Sequence, residues 1–178
     1  MSKINSMLGA VIFFSLAVPF TVFAQHETGG DHQMNMQTNL DDAQFLDHMS
    51  MHHQQAVDMA KMAIEKSQNP KIKSLSQKVI ADQTKEIEQM KTWRQKWFSS
   101  TPQTTMNMGD SSMGGLQSAT GKEFDQWYLD MMSKHHEDGI KMAKSANLKK
   151  PEVKKLATNI VQKQAKEIKE MSDLKTKL

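Results

Sequence analysis

Histidine and methionine occur together twice in this sequence, at spacings that suit metal binding on a helix. The first group lies within residues 48–53 and the second within residues 131–136, and each ends in a His-His pair. Side chains three or four residues apart are neighbours on a helix, so each group can converge on one small ion. Thioethers are soft ligands and imidazoles are borderline ones, and together they favour Cu(I) and its mimic Ag(I), with Cu(II) as a further candidate. The predicted metal ligands are His48, Met49, His52, His53, Met131, Met132, His135 and His136.

Core packing is the alternative explanation for methionine and histidine on a helix. Methionine is flexible and fills gaps between other side chains. The methionines assigned to the core in this way are Met59, Met90, Met142 and Met171, which lie on apolar stripes. Adjacent residues of a helix point about 100° apart, so two neighbouring histidines are not expected to face the same core. The recurrence of the pair therefore favours metal ligation over packing.

Two further stretches of the sequence each place two polar side chains close to an apolar stripe. These side chains are Gln83, Glu86, Gln164 and Glu167. In one interpretation they hydrogen-bond the free ring nitrogens of the histidines and fix the orientation of the rings. In the other they lie at the edge of the stripe in solvent, where the glutamates pair with lysines. The sequence leaves both interpretations open.

A further set of methionines and histidines occurs where no apolar stripe explains it. The chain has 178 residues, 16 Met and no Cys, and the absence of Cys excludes disulfides, thiolate zinc sites and thiol catalysis. Met-x-Met pairs in polar segments suit the capture of Cu(I) or Ag(I), while drift in linker composition is the alternative. These secondary metal candidates are His26, His32, Met34, Met36, Met106, Met108 and Met113.

The chain contains an internal repeat. Residues 45–63 match residues 128–146 at an offset of 83, and residues 83–90 match residues 164–171 at an offset of 81. The offset changes between the two blocks, where each copy has a proline. Each copy is therefore one structural unit of two segments.

All four segments show the three- and four-residue periodicity of amphipathic helices. Asn69 and Pro70 mark the start of the second helix, Thr120 and Glu123 suggest a capping box for the third, and Pro151 opens the fourth. The predicted helices span about 41–67, 70–98, 121–147 and 151–176. The predicted fold class is all-α, a four-helix bundle built from two repeated helical hairpins.

The predicted bundle occupies residues 41–178, behind a flexible Met/His-rich segment at 25–40. It consists of repeat one at 41–98, a linker at 99–120 and repeat two at 121–178. The linker is long enough to run the length of a helix if extended. Both an up-down topology and a long crossover therefore remain open.

The first 24 residues have the pattern of a secretory signal peptide. Lys3 precedes an apolar stretch over 7–23, and Ala24 ends a small-x-small cleavage motif. An uncleaved anchor is the alternative, but Pro19 interrupts a run near the lower limit for a membrane span. We expect export to a bacterial periplasm, with full secretion as the alternative and no membrane attachment after cleavage. The net charge of +3 is small and interspersed, so nucleic-acid binding is not expected.

The duplicated pattern resembles a known family. The first copy reads Phe-Leu-x-x-Met-x-x-His-His-x-x-Ala-x-x-Met-Ala from position 45, and Gln-x-x-Glu-Ile-x-x-Met-x-x-Trp follows from position 83. This pattern resembles the ferritin-like family catalogued as domain of unknown function 305. Its two-copy exported form is similar to the CopM family of periplasmic copper-binding metallochaperones. The resemblance covers about residues 40–176. It implies a ferritin-like bundle and a role in copper binding and resistance, with ligands Met49, His52, His53, Met132, His135 and His136.

The function predicted from these observations is that of a periplasmic copper carrier, buffer or metallochaperone. Its expected partners are copper ions and a periplasmic copper exporter or cuproprotein. Catalysis is not expected, because di-iron enzymes of this architecture use Glu-x-x-His, which the sequence lacks. The alternatives are a metal-free periplasmic interaction module whose exposed methionines bind a partner and, with less support, a metal-dependent enzyme.

Overall fold

Four α-helices make up most of the part of the chain that the computed structural model describes, residues 39–105 and 118–178. α1 spans Asp42–Lys66, α2 spans Pro70–Phe98, α3 spans Gly121–Ser145 and α4 spans Pro151–Lys175. No strand occurs in these two ranges, and none of their helices is long and apolar enough to cross a membrane. The predicted all-α class is confirmed, and each helix ends within two residues of its predicted bounds. The predicted signal peptide at 1–24 and residues 25–38 lie outside the described residues.

The start signals predicted for α2 and α4 are confirmed, whereas the one predicted for α3 is wrong. Asn69 accepts a hydrogen bond from the Lys71 backbone N–H at 3.0 Å, and prolines stand at the first position of α2 and α4. The capping box predicted for α3 is wrong, because the Thr120 side chain makes no capping hydrogen bond. The next residue, Gly121, has φ +56°, so the first turn of α3 departs from the regular helical geometry that a capping box requires.

α1 and α3 are antiparallel, and this fixes the topology of the bundle. At one end the Asn147 backbone N–H donates to the Leu40 carbonyl at 2.8 Å, which joins the start of α1 to the end of α3. At the other end the Lys66 ammonium donates to the Ala119 carbonyl at 3.3 Å. α2 therefore ends at the opposite end of the bundle from the start of α3. The 99–120 linker is the crossover, and the bundle has the single long crossover of ferritin-like folds.

The interior contains two apolar clusters with a polar layer between them. The first cluster joins the C-terminal half of α1 to the N-terminal half of α3 and includes Ile72 and Phe124. The second lies at the opposite end of the bundle and includes Phe45 and Ile160. Each fully buried side chain of this kind contributes about 1.5–3 kcal/mol. The methionines assigned to the core, Met59, Met90, Met142 and Met171, are all at least 97% buried, as predicted.

An ion pair that recurs in the two repeats has a different environment in each. In repeat one, Arg94 Nε donates to Asp47 Oδ1 at 2.9 Å, and both side chains are buried. Arg94 also donates to the Thr101 carbonyl at 2.8 Å, and the Thr104 N–H donates to Asp47 at 3.0 Å. The start of the crossover is therefore attached to α1 and α2. The equivalent pair in repeat two, Lys175 and Asp130 at 2.7 Å, is exposed.

We predict that Asp47→Ala lowers the free energy of unfolding by about 3 kcal/mol, because it leaves a buried guanidinium without its carboxylate. The matched control is Asp130→Ala, which removes the exposed equivalent and should cost less than about 1 kcal/mol. Urea unfolding followed by circular dichroism measures both values. Equal losses in the two variants would contradict the assignment of Asp47 as the anchor of the crossover.

Candidate metal centre

The histidine pairs of the two repeats meet in the polar layer at the centre of the bundle. His52 on α1 and His135 on α3 stack, with ring centroids 3.7 Å apart and an interplanar angle of 27°. These two helices are antiparallel and pack directly against each other, so equivalent positions of the two repeats face one another. The predicted ligand sets therefore lie side by side in the interior.

The second histidine of each pair contacts a glutamate on the neighbouring helix. His53 Nε2 lies 2.8 Å from Glu86 Oε2 on α2, and His136 Nε2 lies 2.9 Å from Glu167 Oε2 on α4. An ionised carboxylate only accepts hydrogen bonds, so a neutral His53 donates from Nε2 and keeps the lone pair of Nδ1. Contacts of this kind set the tautomer and orientation of metal-binding histidines in other proteins.

Lysines contact the outer side of both glutamates, as in the second interpretation, but its placement of the glutamates in solvent is wrong, because their side chains are only 12% and 2% exposed. Lys163 Nζ donates to Glu86 Oε1 at 2.8 Å and lies 3.5 Å from Asp82. Lys78 Nζ lies 3.7 Å from Glu167 Oε1, a longer contact. Burial raises the pKa of Glu86, but the hydrogen bonds from His53 and Lys163 outweigh this effect and hold that pKa below its ordinary value.

Most nitrogens of the four central histidines are buried without a hydrogen bond of good geometry. Both ring nitrogens of His52 and His135 are in this state, as is Nδ1 of His53 and His136. The rings are at most 5% exposed. A buried polar group without a partner costs about 1–3 kcal/mol. The layer therefore presents several lone pairs that a cation would satisfy.

Burial favours the neutral form of three central imidazoles, those of His52, His53 and His135. It lowers the pKa of His52 and His135 well below 6.5, and the neighbouring imidazoles lower both values further, against a weak opposing contact with the backbone of the facing histidine. Burial also lowers the pKa of His53, although Glu86 opposes this. A metal ion binds the neutral form of imidazole. At neutral pH these rings are therefore available as ligands without losing a proton.

The expectation that adjacent histidines cannot both face the core is wrong. His52 and His53 are both 0% exposed, and His136 is equally buried. The reason is that α1 packs against α2 and α3, and α3 packs against α1 and α4. One histidine of each pair faces the other repeat, while the next one along the chain faces the partner helix of its own hairpin.

Two of the predicted thioether ligands lie on opposite sides of the histidine layer. Met49 is 0% exposed in the cluster that contains Phe45, and Met132 is 0% exposed in the cluster that contains Phe124. Each stands one turn before the His-His pair of its own helix. Because the helices are antiparallel, one thioether lies at each end of the layer.

The remaining predicted ligands, His48 and Met131, occupy equivalent positions but differ in chemistry. His48 is buried with both ring nitrogens unpaired, and burial lowers its pKa against the opposing charge of Asp47. Met131 is partly buried and packs against the same cluster as Met132. The two repeats are therefore not identical in the donors that they offer.

Gln83 and Gln164 are buried, but the predicted hydrogen bonds from their amides to the histidines are absent. The glutamate three residues later in each helix holds Nε2 of the nearest ring instead. Gln164 packs against α3 at Gly139, where a Cβ would lie 2.6 Å from Gln164 Oε1 and 2.9 Å from His52 Cε1. This glycine leaves space beside the stacked rings, at a cost of about 1 kcal/mol in helix propensity.

A preformed cage is not part of this layer. Among the described residues, no group of three or more His, Asp or Glu side chains is arranged to hold a metal ion. The available donors are paired imidazole nitrogens with thioethers one turn away. Such a set fits a soft cation of low coordination number better than Mg²⁺ or Ca²⁺, which prefer oxygen ligands in larger number, or Zn²⁺, which prefers four ligands drawn from thiolate, imidazole and carboxylate.

The secondary metal candidates cannot be placed in this geometry. His26, His32, Met34, Met36, Met106, Met108 and Met113 all lie outside the described residues.

The residues that sequence reasoning missed are Lys163, Lys78 and the packing role of Gly139. A signal existed for the glycine, because Ala56 stands at the matching position of repeat one. The lysines gave no such signal, since the repeat aligns Lys163 with Asp82. Their contacts depend on how the two hairpins pack, and the periodicity of a single helix gives no information about that packing.

Solved structures with the same fold include two of CopM. The Cu(II)-bound form is 35% identical to this chain, with a TM-score of 0.69 over 78% of this chain and 98% of that one. The Cu(I)-bound form is 36% identical, with a TM-score of 0.68 over the same shares; CopM has also been solved with Ag bound. A DUF305 protein of Streptomyces coelicolor described as secreted is 28% identical, with a TM-score of 0.68 over 75% and 90% of the two chains.

Curated protein sequences give no significant match. The family model described as "Domain of unknown function (DUF305)" matches residues 42–175, which include all four helices. The resemblance predicted from the duplicated Met-x-x-His-His pattern is confirmed. The chain belongs to the DUF305 family.

Proposed function

We propose that this protein binds Cu(I), with Ag(I) as its mimic, in the central histidine layer, and that it acts as a copper carrier or buffer outside the cytoplasm. The observation that carries the proposal is the meeting of His52, His53, His135 and His136 in the interior, with most of their ring nitrogens unpaired. Binding of Cu(I), Cu(II) and Ag by CopM, a relative of the same fold, supports the choice of ion. Cu(II) is the second candidate state.

The stacked rings restrict where an ion can bind. The lone pair of an imidazole nitrogen lies in the plane of its ring, so an ion held by both His52 and His135 lies at the shared edge of the stack rather than between the faces. Nδ1 of His53 and of His136 are the other unpaired ring nitrogens of the layer. Because the rings are stacked at 27°, they would have to turn out of the stack for two lone pairs to point at one ion.

The two repeats contribute to one site in this proposal. With centroids 3.7 Å apart, two ions bound at the same edge of the His52–His135 stack would be only a few ångströms from each other. Repulsion between two unit charges about 4 Å apart amounts to about 4 kcal/mol even at an effective dielectric constant of 20. One ion per chain in the layer is therefore favoured over two.

The methionines suit release as well as binding. Met49 and Met132 lie one turn from the histidine layer, and thioethers are flexible, uncharged ligands for soft metals. Exchange between a thioether and an imidazole would loosen the hold on the ion without adding or removing a charged ligand. The methionines at 34, 36, 106, 108 and 113, with His26 and His32, are proposed as auxiliary ligands for capture, and a periplasmic exporter or cuproprotein as the recipient.

We predict that the full-length mature chain holds one Ag(I) or Cu(I) in the layer, in addition to any ion bound elsewhere. His52→Gln and His135→Gln should each remove that same single ion, and the double variant should remove no more than either alone. Native mass spectrometry in the presence of a competing Cu(I) chelator counts the ions. The core variant Met171→Leu is the matched control and should keep the wild-type count.

Two outcomes contradict this proposal in different ways. Wild-type occupancy after both histidines are replaced would show that the layer binds no metal. Loss of one ion in each single variant and of two in the double variant would show two independent sites rather than one shared site.

We predict that the metal-free protein loses stability as the pH falls from about 6.5 to 5. The pKa values of His52 and His135 are lowered on folding, so in this window the unfolded chain takes up protons that the folded chain does not. The free energy of unfolding is therefore at its full value above pH 6.5 and falls below it, by up to about 1.4 kcal/mol per pH unit for each histidine. Chemical unfolding at a series of pH values measures the slope.

The comparison for this measurement is His52→Gln/His135→Gln, which should flatten the profile over the same window. A wild-type profile that is already flat between pH 6.5 and 5 would contradict the burial of neutral rings in the layer.

A further inference from the structure

The central histidines are sealed from solvent, so an ion must pass another group to reach them. His52, His53, His135 and His136 are between 0% and 5% exposed. Apolar clusters close both ends of the layer, and the ligand atoms that their side chains offer are thioethers and the Tyr128 hydroxyl, which is hydrogen-bonded to Ser76. The sides of the bundle are therefore the places to look for a route.

A groove between α2 and α4 reaches the layer from the side. It has a volume of about 820 Å³ and is lined by Asp82, Glu86, Trp93 and Lys163, among others. Glu86 connects the groove to the interior, because one carboxylate oxygen contacts Lys163 Nζ at 2.8 Å and the other contacts His53 Nε2 at 2.8 Å. A continuous series of polar contacts thus runs from the groove to a buried ring.

The second repeat has no equivalent connection in the described residues. The Glu167 side chain is 2% exposed against 12% for Glu86, and Glu167 does not line the groove. Lys78 lies 3.7 Å from Glu167, too far for a hydrogen bond, and pairs equally with the exposed Glu170 at 3.9 Å. Of the two His–Glu contacts, the one at Glu86 therefore lies nearer to solvent.

We propose that copper enters and leaves the histidine layer through the α2–α4 groove past Glu86, and that Lys163 sets the rate of this exchange. The proposal rests on the proposed function, since it concerns access to the same site. Lys163 is a positioning residue here: it acts through the carboxylates that it holds and does not contact the bound ion.

The charge of Lys163 gives the physical reason. Its ammonium contacts both Asp82 and Glu86, at 3.5 Å and 2.8 Å, and so offsets one of the two negative charges that would attract a cation to the mouth of the route. It also occupies one oxygen of Glu86 directly. Lys85, Lys155 and Lys166 also line the groove, but among the described residues Lys163 is the only lysine in contact with Asp82 and Glu86, so its removal leaves both carboxylates without a contacting ammonium. Local charge of this kind changes association rates by about tenfold or more.

The test measures how fast the metal-free full chain takes up Ag(I) in chloride-free buffer. The protein is mixed rapidly with Ag(I), the reaction is stopped after a set time with excess chelator, and occupancy is read by native mass spectrometry. We expect Lys163→Met to raise the association rate about tenfold while the number of ions bound in the layer at saturation stays at the wild-type value. Lys163→Arg keeps the positive charge, so its association rate for Ag(I) should equal that of the wild type. Lys78→Met is the matched control beside Glu167 and should leave the rate unchanged.

The outcomes separate this proposal from the one on which it rests. If Lys163→Met loads the layer fully at the wild-type association rate, the route past Glu86 is overturned and the copper site is left intact. The same conclusion follows if Lys78→Met raises the association rate as much as Lys163→Met does. No Ag(I) in the histidine layer of the wild type overturns the site and the route together.

Discussion

The arrangement of this bundle depends on a layer of neutral imidazoles held between two apolar clusters. Unpaired ring nitrogens in a buried layer oppose folding by about 1–3 kcal/mol each, so the layer exists only because the clusters on both sides are well packed. Those clusters contain fully buried large side chains such as Phe45, Phe124 and Tyr128. Burial in turn favours the uncharged form of His52, His53 and His135 and keeps their lone pairs available. The same constraint thus limits stability and creates the binding capacity.

Duplication and antiparallel packing explain how the layer forms. One helical hairpin carries a single His-His pair and cannot surround it, but two hairpins joined by a crossover place α1 against α3 and bring both pairs to the same level. The repeats then diverge in their surroundings. The Asp47–Arg94 pair is buried whereas its equivalent is exposed, and Glu86 reaches a groove whereas Glu167 does not. The histidine layer is therefore nearly symmetric, whereas the residues that surround it differ between the two repeats.

The sequence predicted the helices, their bounds and the repeat because these follow from local periodicity and from Pro and Asn at helix starts. One of its two interpretations paired the histidines with polar residues of the neighbouring helices, because buried polar groups need partners; this holds for Glu86 and Glu167 but not for Gln83 and Gln164. The prediction failed on the exposure of adjacent histidines, because one helix in isolation does not show that α1 has two neighbours. The sequence could not predict the direction of the crossover, the His52–His135 stack or the role of Lys163 for the same reason. Each of these depends on how the two hairpins pack. The Thr120 cap failed locally, where Gly121 adopts a positive φ.

The most direct test of the central claim is X-ray absorption spectroscopy at the copper edge on protein loaded with one equivalent of Cu(I). The account predicts imidazole scattering from at least two histidines, with a minor thioether contribution, and loss of the imidazole signal in His52→Gln/His135→Gln. A spectrum of sulfur scatterers alone, unchanged in that variant, would place the ion among the methionines and contradict the account.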